Sequence, residues 1–77
     1  MKSPAEIVIH KCGGVAAVAR IVERSPSRIR RWTYPKARGG TGGLIPAECQ
    51  VALLAASREL GLGIEPGDFF PPLREAS

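Results

Sequence analysis

Histidine occurs once, cysteine twice, and the aromatic side chains are one Trp, one Tyr and two Phe among 77 residues. Each scarcity closes off a class of function. With His10 alone, scattered acids and no nucleophile beside a base, nothing assembles into a catalytic site, so an enzyme is not expected. Cys12 and Cys49 are too few to staple so small a domain with disulfides. Both lie in helix-like apolar patterns, where a reduced thiol serves as a small hydrophobe. His10, Cys12 and Cys49 also lack the second closely spaced ligand pair of a structural zinc site. No metal and no cofactor is expected. The few aromatic faces leave little for stacking unpaired bases, which disfavours a general RNA-binding role.

Long hydrophobic runs are missing too. The longest, Val51 to Ala56, falls far short of the roughly 20 residues that span a bilayer. The opening "MKSPAEIVIHK" has no secretory apolar core. The expectation is a cytoplasmic, nucleoid-associated chain with no membrane partner. Strand alternation, repeats and heptads are absent, so the pattern is all-α. At this length there is room for one domain with a small core.

Acidic residues are scarce in one place. The formal net charge is +4, but residues 20–38 hold Arg20, Arg24, Arg28, Arg30, Arg31, Lys36 and Arg38 against Glu23 alone, a net +6. The rest of the chain is net −2. A solvated helix face interleaves acids with bases. A one-sign patch is the footprint of a protein that meets a polyanion.

Around that patch the punctuation of helices is clear. Ser3-Pro4-Ala5-Glu6 supplies an N-cap, a proline at the first helical position and a capping-box acid. Ala5, Val8, Ile9 and Cys12 then mark one face, and Gly13-Gly14 ends the helix. Val15, Val18, Ala19 and Val22 mark a second helix that stops near Glu23-Arg24. Ser25-Pro26 starts a third, predicted from Pro26 to about Tyr34, where Pro35 halts it. Ile29 and Trp32 are its inward anchors.

"KARGGTGG" follows. It reads either as a mobile connection or as a loop whose backbone N–H groups, with Lys36 and Arg38, grip phosphates. A fourth helix is predicted from Pro46, with Ile45, Cys49, Ala52, Leu53, Ala56 and Leu60 inward and Gly61 as its stop. Val51, Leu54 and Ala55 give this helix a second apolar side. Either the C-terminal Leu62, Ile64, Phe69 and Phe70 or a partner subunit should cover it. The turn Glu65–Asp68 lets that C-terminal segment fold back. Residues 1–70 form the expected domain, and residues 71–77 a polar tail.

The unit from Val15 to Tyr34 resembles the helix-turn-helix of the Cro-like and lambda-repressor-like (XRE-type) regulators, in particular the small prophage-type ones. Val18-Ala19, Val22, Ile29 and Trp32 match its apolar positions, and Ser25-Pro26-Ser27 the start of its recognition helix. Arg31-Trp32, the glycine-rich loop and Ile45-Pro46-Ala47 extend the likeness. Glu23 and Arg24 depart from it, standing where a glycine and an apolar residue are usual. A non-glycine residue at positive φ costs roughly 1–2 kcal/mol, so the turn is either strained or differently shaped.

The resemblance implies a compact bundle of four to five short helices that reads the DNA major groove with its third helix. Ser25, Ser27, Arg28, Arg30, Arg31, Tyr34, Lys36 and Arg38 are the expected DNA-binding residues. Tyr34 is open to two roles, phosphate contact or packing. Val51, Leu54 and Ala55 are the expected dimer interface. The expected function is a sequence-specific transcriptional regulator of double-stranded DNA, acting as a homodimeric repressor. The alternative is a DNA-binding antitoxin or protein-interaction module held by a second polypeptide.

Overall fold

Capping residues and glycines set the helix limits before any packing. The computed structural model describes residues 3–70; the expected polar tail, 71–77, lies outside the described residues. Helix α1 spans Pro4–Cys12, α2 Val15–Val22, α3 Pro26–Arg31 and α4 Ala47–Leu60, with 3₁₀ turns at Lys36–Arg38 and Pro66–Phe69. Among the described residues there is no strand, and no helix is long and apolar enough to cross a membrane. The fold is all-α.

α1 begins with the expected capping box. Ser3 Oγ accepts the Glu6 N–H at 3.3 Å, and Glu6 Oε1 accepts the Ser3 N–H at 2.9 Å, so two orphan donors of the first turn are satisfied. Gly13, at φ 98°, closes it in the left-handed conformation. α2 is the hub, touching α1, α3 and α4. Its buried side chains are Val18, Ala19 and Val22. Ala19 carries no bulk where neighbouring helices meet, and the larger Val8, Ile29 and Leu53 close over the same centre, fully buried.

α4 points Cys49, Leu53 and Ser57 inward, each four residues from the last. Ala52, on the predicted inward stripe, is half-buried against the core, but Leu60 is 65% exposed and corrects that stripe. The helix ends at Leu60 and Gly61 turns the chain away at φ 68°, so the last turn overhangs the core. Ser57 takes an inward place that periodicity assigned to apolar residues. Its Oγ accepts the Ile64 N–H at 2.9 Å and donates to the Ile64 carbonyl. A buried hydroxyl is tolerated there because both its roles are filled.

The segment after Gly61 folds back as expected, burying Ile64 and Phe69, with Leu62 half-buried beside them. Phe70 stays 65% exposed and is not part of this cover. A polar clamp holds the segment to α1. Lys11 Nζ donates to Asp68 Oδ2 at 2.7 Å and to the Gly63 carbonyl at 2.9 Å.

Partial burial alone raises the Asp68 carboxyl pKa. The hydrogen bond from Lys11, the Glu65 N–H at 2.9 Å and the Lys11 charge together outweigh it and hold the pKa below the usual carboxylate value. A carboxyl with a lower folded than unfolded pKa contributes stability that is complete above its unfolded value, about 3.9, and is lost as pH falls through the folded pKa. Asp68→Asn should therefore lower Tm by a few degrees at neutral pH, with the gap to wild type closing below roughly pH 4. Thermal melts followed by circular dichroism across that range check this; a gap that persists unchanged at roughly pH 3 would show that the carboxylate charge contributes nothing.

Candidate nucleic-acid interface

The basic segment takes its shape from three short pieces: the turn at residues 23–25, α3, and the loop that follows α3. Glu23 closes α2 at φ 55° and ψ 48°, the one non-glycine residue at positive φ among those described. Of the two shapes the sequence left open, the left-handed one is adopted. Ser25 then caps α3, its Oγ accepting the Arg28 N–H at 3.3 Å, and Pro26 occupies the first helical position, where no N–H is needed.

α3 is shorter than predicted. Its α-helical winding stops at Arg31, and the N–H groups of Trp32, Thr33 and Tyr34 reach back three residues instead of four, to Ile29, Arg30 and Arg31. The tightening goes with donors arriving from the glycine-rich loop. Thr41 N–H donates to the Arg31 carbonyl (3.2 Å), Gly43 N–H to Trp32 (2.7 Å) and Gly42 N–H to Tyr34 (2.9 Å). The Thr41 hydroxyl, with one proton to give, lies nearest the Leu44 carbonyl and also within 3.1 Å of the Trp32 carbonyl. The carbonyls of Arg31, Trp32 and Tyr34 are those that a helix C-terminus otherwise leaves to water.

That bonding seats "KARGGTGG" against the end of α3. The N–H groups of residues 38–44 all donate within the chain, so the glycine N–H groups expected to grip phosphate are already engaged. Glycine is needed at position 40 for space. A Cβ there would overlap the carbonyl oxygens of Tyr34 and Arg31. Thr41 and Gly40 are the positioning residues that pattern reading missed; the one signal was a lone hydroxyl residue inside a glycine run.

The side chains divide cleanly. Ile29 is fully buried and Trp32 nearly so, whereas Ser25, Ser27, Arg28, Arg30, Arg31, Tyr34, Lys36 and Arg38 are all exposed. At about 100° per residue, Arg30, Arg31 and Ser27 lie opposite the Ile29–Trp32 face, and Arg28 lies on the flank. Arg28 borders a shallow hollow with Arg24, Trp32, Pro46, Glu48 and Cys49. Lys36 and Arg38 sit on the 3₁₀ turn just beyond α3. Among the described residues the Lys11–Asp68 pair is the sole salt bridge, so no base between Arg20 and Arg38 has a carboxylate at contact distance.

Both cysteines are free, Cys49 buried and Cys12 half-buried. Burial pushes both thiols up; at Cys49 the Arg24 charge opposes this and Glu48 adds to it. Of the expected pairing residues, Val51 and Ala55 are exposed on α4, but Leu54 is half-buried against the core. Comparison with protein-family models, curated proteins and solved structures gave no match.

Two substitutions test this geometry. Glu23→Gly relieves a left-handed strain of roughly 1–3 kcal/mol and restores part of that as unfolded-state entropy. It should raise Tm by a few degrees. Gly40→Ala should destabilise by roughly 1–3 kcal/mol, as overpacking does. Thermal unfolding measures both; a Gly40→Ala variant that melts like wild type would mean the loop is not seated on α3.

Proposed function

We propose that the chain is a sequence-specific double-stranded DNA-binding regulator in which α2, the Glu23–Ser25 turn and α3 act as a helix-turn-helix. The observation that carries this reading is α3 itself. It buries Ile29 and Trp32 and leaves three exposed arginines with no carboxylate partner among the described residues, in the middle of the chain's basic segment.

A six-residue helix anchored inward by Ile29 and, at its C-cap, by Trp32 can enter the major groove, which admits one helix. Arg30 and Arg31, facing away from the core, are the base readers in this proposal. A bidentate arginine–guanine pair discriminates by about 1–3 kcal/mol. Arg28, on the flank, and Lys36 and Arg38, on the following turn, hold phosphates and set register. Ser25 keeps its capping bond and contributes through the helix start. Tyr34, 44% exposed, has its ring free enough to present its hydroxyl to the backbone. Regulation follows from occupancy of promoter DNA, which would keep the chain on the nucleoid.

Alanine variants separate these roles. Arg30→Ala and Arg31→Ala should each weaken the selected site by about 1–3 kcal/mol and relax preference at one base pair. Arg28→Ala, Lys36→Ala and Arg38→Ala should weaken all sequences alike and lower the salt slope by about one each. Ile29→Ala should destabilise the fold by about 2–5 kcal/mol without altering sequence preference. The experiment first selects bound duplexes from random DNA, then titrates each variant against selected and scrambled duplexes at several salt concentrations. If all the arginine variants bind both duplexes like wild type, α3 does not read DNA.

A further inference from the structure

α4 has a second face that the fold leaves uncovered. Opposite Cys49, Leu53 and Ser57, the residues Glu48, Val51, Ala55 and Arg58 are exposed. At about 100° per residue these four fall within an arc of about 80°. Val51 is 70% exposed, far more than a valine in a finished core.

The order of residues along this stripe says what covers it. Val51 and Ala55 lie two residues either side of Leu53, and Glu48 and Arg58 lie five either side. Turned end for end about the level of Leu53, the stripe meets itself with apolar against apolar and acid against base. A parallel copy would instead set Glu48 against Glu48 and Arg58 against Arg58. Self-complementarity under reversal is the condition for a two-fold interface, where one patch serves both subunits.

We propose that α4 pairs antiparallel with α4 of a second copy about a two-fold axis at Leu53. Val51 lies against the partner's Ala55, and Glu48 pairs with the partner's Arg58. Each contact occurs twice. The small Ala55 lets the helices approach to the usual 8–10 Å or so between axes. The ion pairs sit about 7.5 Å along the helix on either side of the axis, at the rim, where charges fix register more than they add affinity. One face of a 14-residue helix buries less than the roughly 1,200 Å² of a standard interface, so association belongs in the micromolar range. Leu54, turned against the core, is at the edge of this contact and not its centre.

The inference stands apart from DNA recognition and is tested without nucleic acid. Sedimentation equilibrium at low salt compares wild type with Glu48→Arg, Arg58→Glu and the double variant Glu48→Arg/Arg58→Glu, each checked for wild-type helicity. Each single variant should raise the dimer dissociation constant by about tenfold through like-charge contact, and the double variant should return close to wild type. Mixing the two single variants should likewise restore association, since each then carries what the other needs. Arg58→Glu is the decisive arm. It lowers the net charge of a basic protein, so general repulsion predicts tighter association and the proposed pairing predicts weaker. The proposal is overturned if wild type stays monomeric at several hundred micromolar, if Arg58→Glu associates as well as wild type, or if the double variant fails to recover.

Discussion

The carbonyl groups at the end of α3 are what the basic face of the molecule depends on. An isolated helix below about 12–15 residues is marginal in water, and α3 has six. It is held from both ends. Ser25 satisfies a donor at its start, and Thr41, Gly42 and Gly43 supply donors to the carbonyls of Arg31, Tyr34 and Trp32. The same loop then hands on to α1, because the Gly43 carbonyl accepts the Ala5 N–H at 2.9 Å. Backbone bonds thus connect the end of α3 to the first turn of α1. Side-chain packing at Ile29 and Trp32 fixes which way the helix faces, and the loop fixes where its C-terminal end lies.

Against that frame of buried valine, isoleucine and backbone, Arg28, Arg30 and Arg31 stay exposed. The core is complete without their charge, and none of them is paired with a carboxylate among the described residues. Exposed like charges within about one Debye length, roughly 8–10 Å, repel each other, and six of the chain's acids lie outside this segment. Self-repulsion destabilises the compact state slightly. A fold that keeps such an arrangement gains from whatever anion neutralises it. Binding to the folded state alone adds stability in proportion to RT ln(1 + [L]/Kd). For a domain of this size, with the small core that size permits, such linkage would weigh heavily if an anion bound.

Much of the fold was legible because its punctuation is chemical. Ser3-Pro4-Glu6, Gly13, Ser25-Pro26 and Gly61 act where they stand, through caps and left-handed turns, and α1, α3 and α4 each begin or end within a residue of one of them. Ile29 and Trp32 as inward anchors were legible from spacing alone. What pattern could not supply was long-range bonding. Glycines in "KARGGTGG" signal a turn whether its N–H groups face water or reach the Arg31 carbonyl. Leu60 obeys the inward periodicity, yet nothing in local sequence shows that the helix outruns its core there. Ser57 was absent from the predicted stripe, because its partner, the Ile64 backbone, comes from a return of the chain that helical periodicity does not describe. The exposure of the arginines was expected, because the residues between and beside Ile29 and Trp32 are polar or basic.

The turn at Glu23 is where the core and the basic face are joined, and its chemistry follows from its length. α2 ends at Val22 and α3 begins at Pro26, so three residues reverse the chain. Pro26 restricts Ser25 to extended backbone, where it is found at φ −74° and ψ 151°. Of the other two turn residues, Glu23 takes the left-handed conformation. With Glu23 left-handed, the Arg24 N–H still reaches the Ala19 carbonyl at 3.1 Å, which ties the turn to the last turn of α2. A glycine would follow the same path at lower strain, but from a larger set of conformations. Glutamate holds a narrower set, so the angle between α2 and α3 is defined by one strained residue, one cap and the fixed φ of one proline. Because α3 is only six residues long, that definition is what lets two buried side chains, Ile29 and Trp32, orient three exposed arginines.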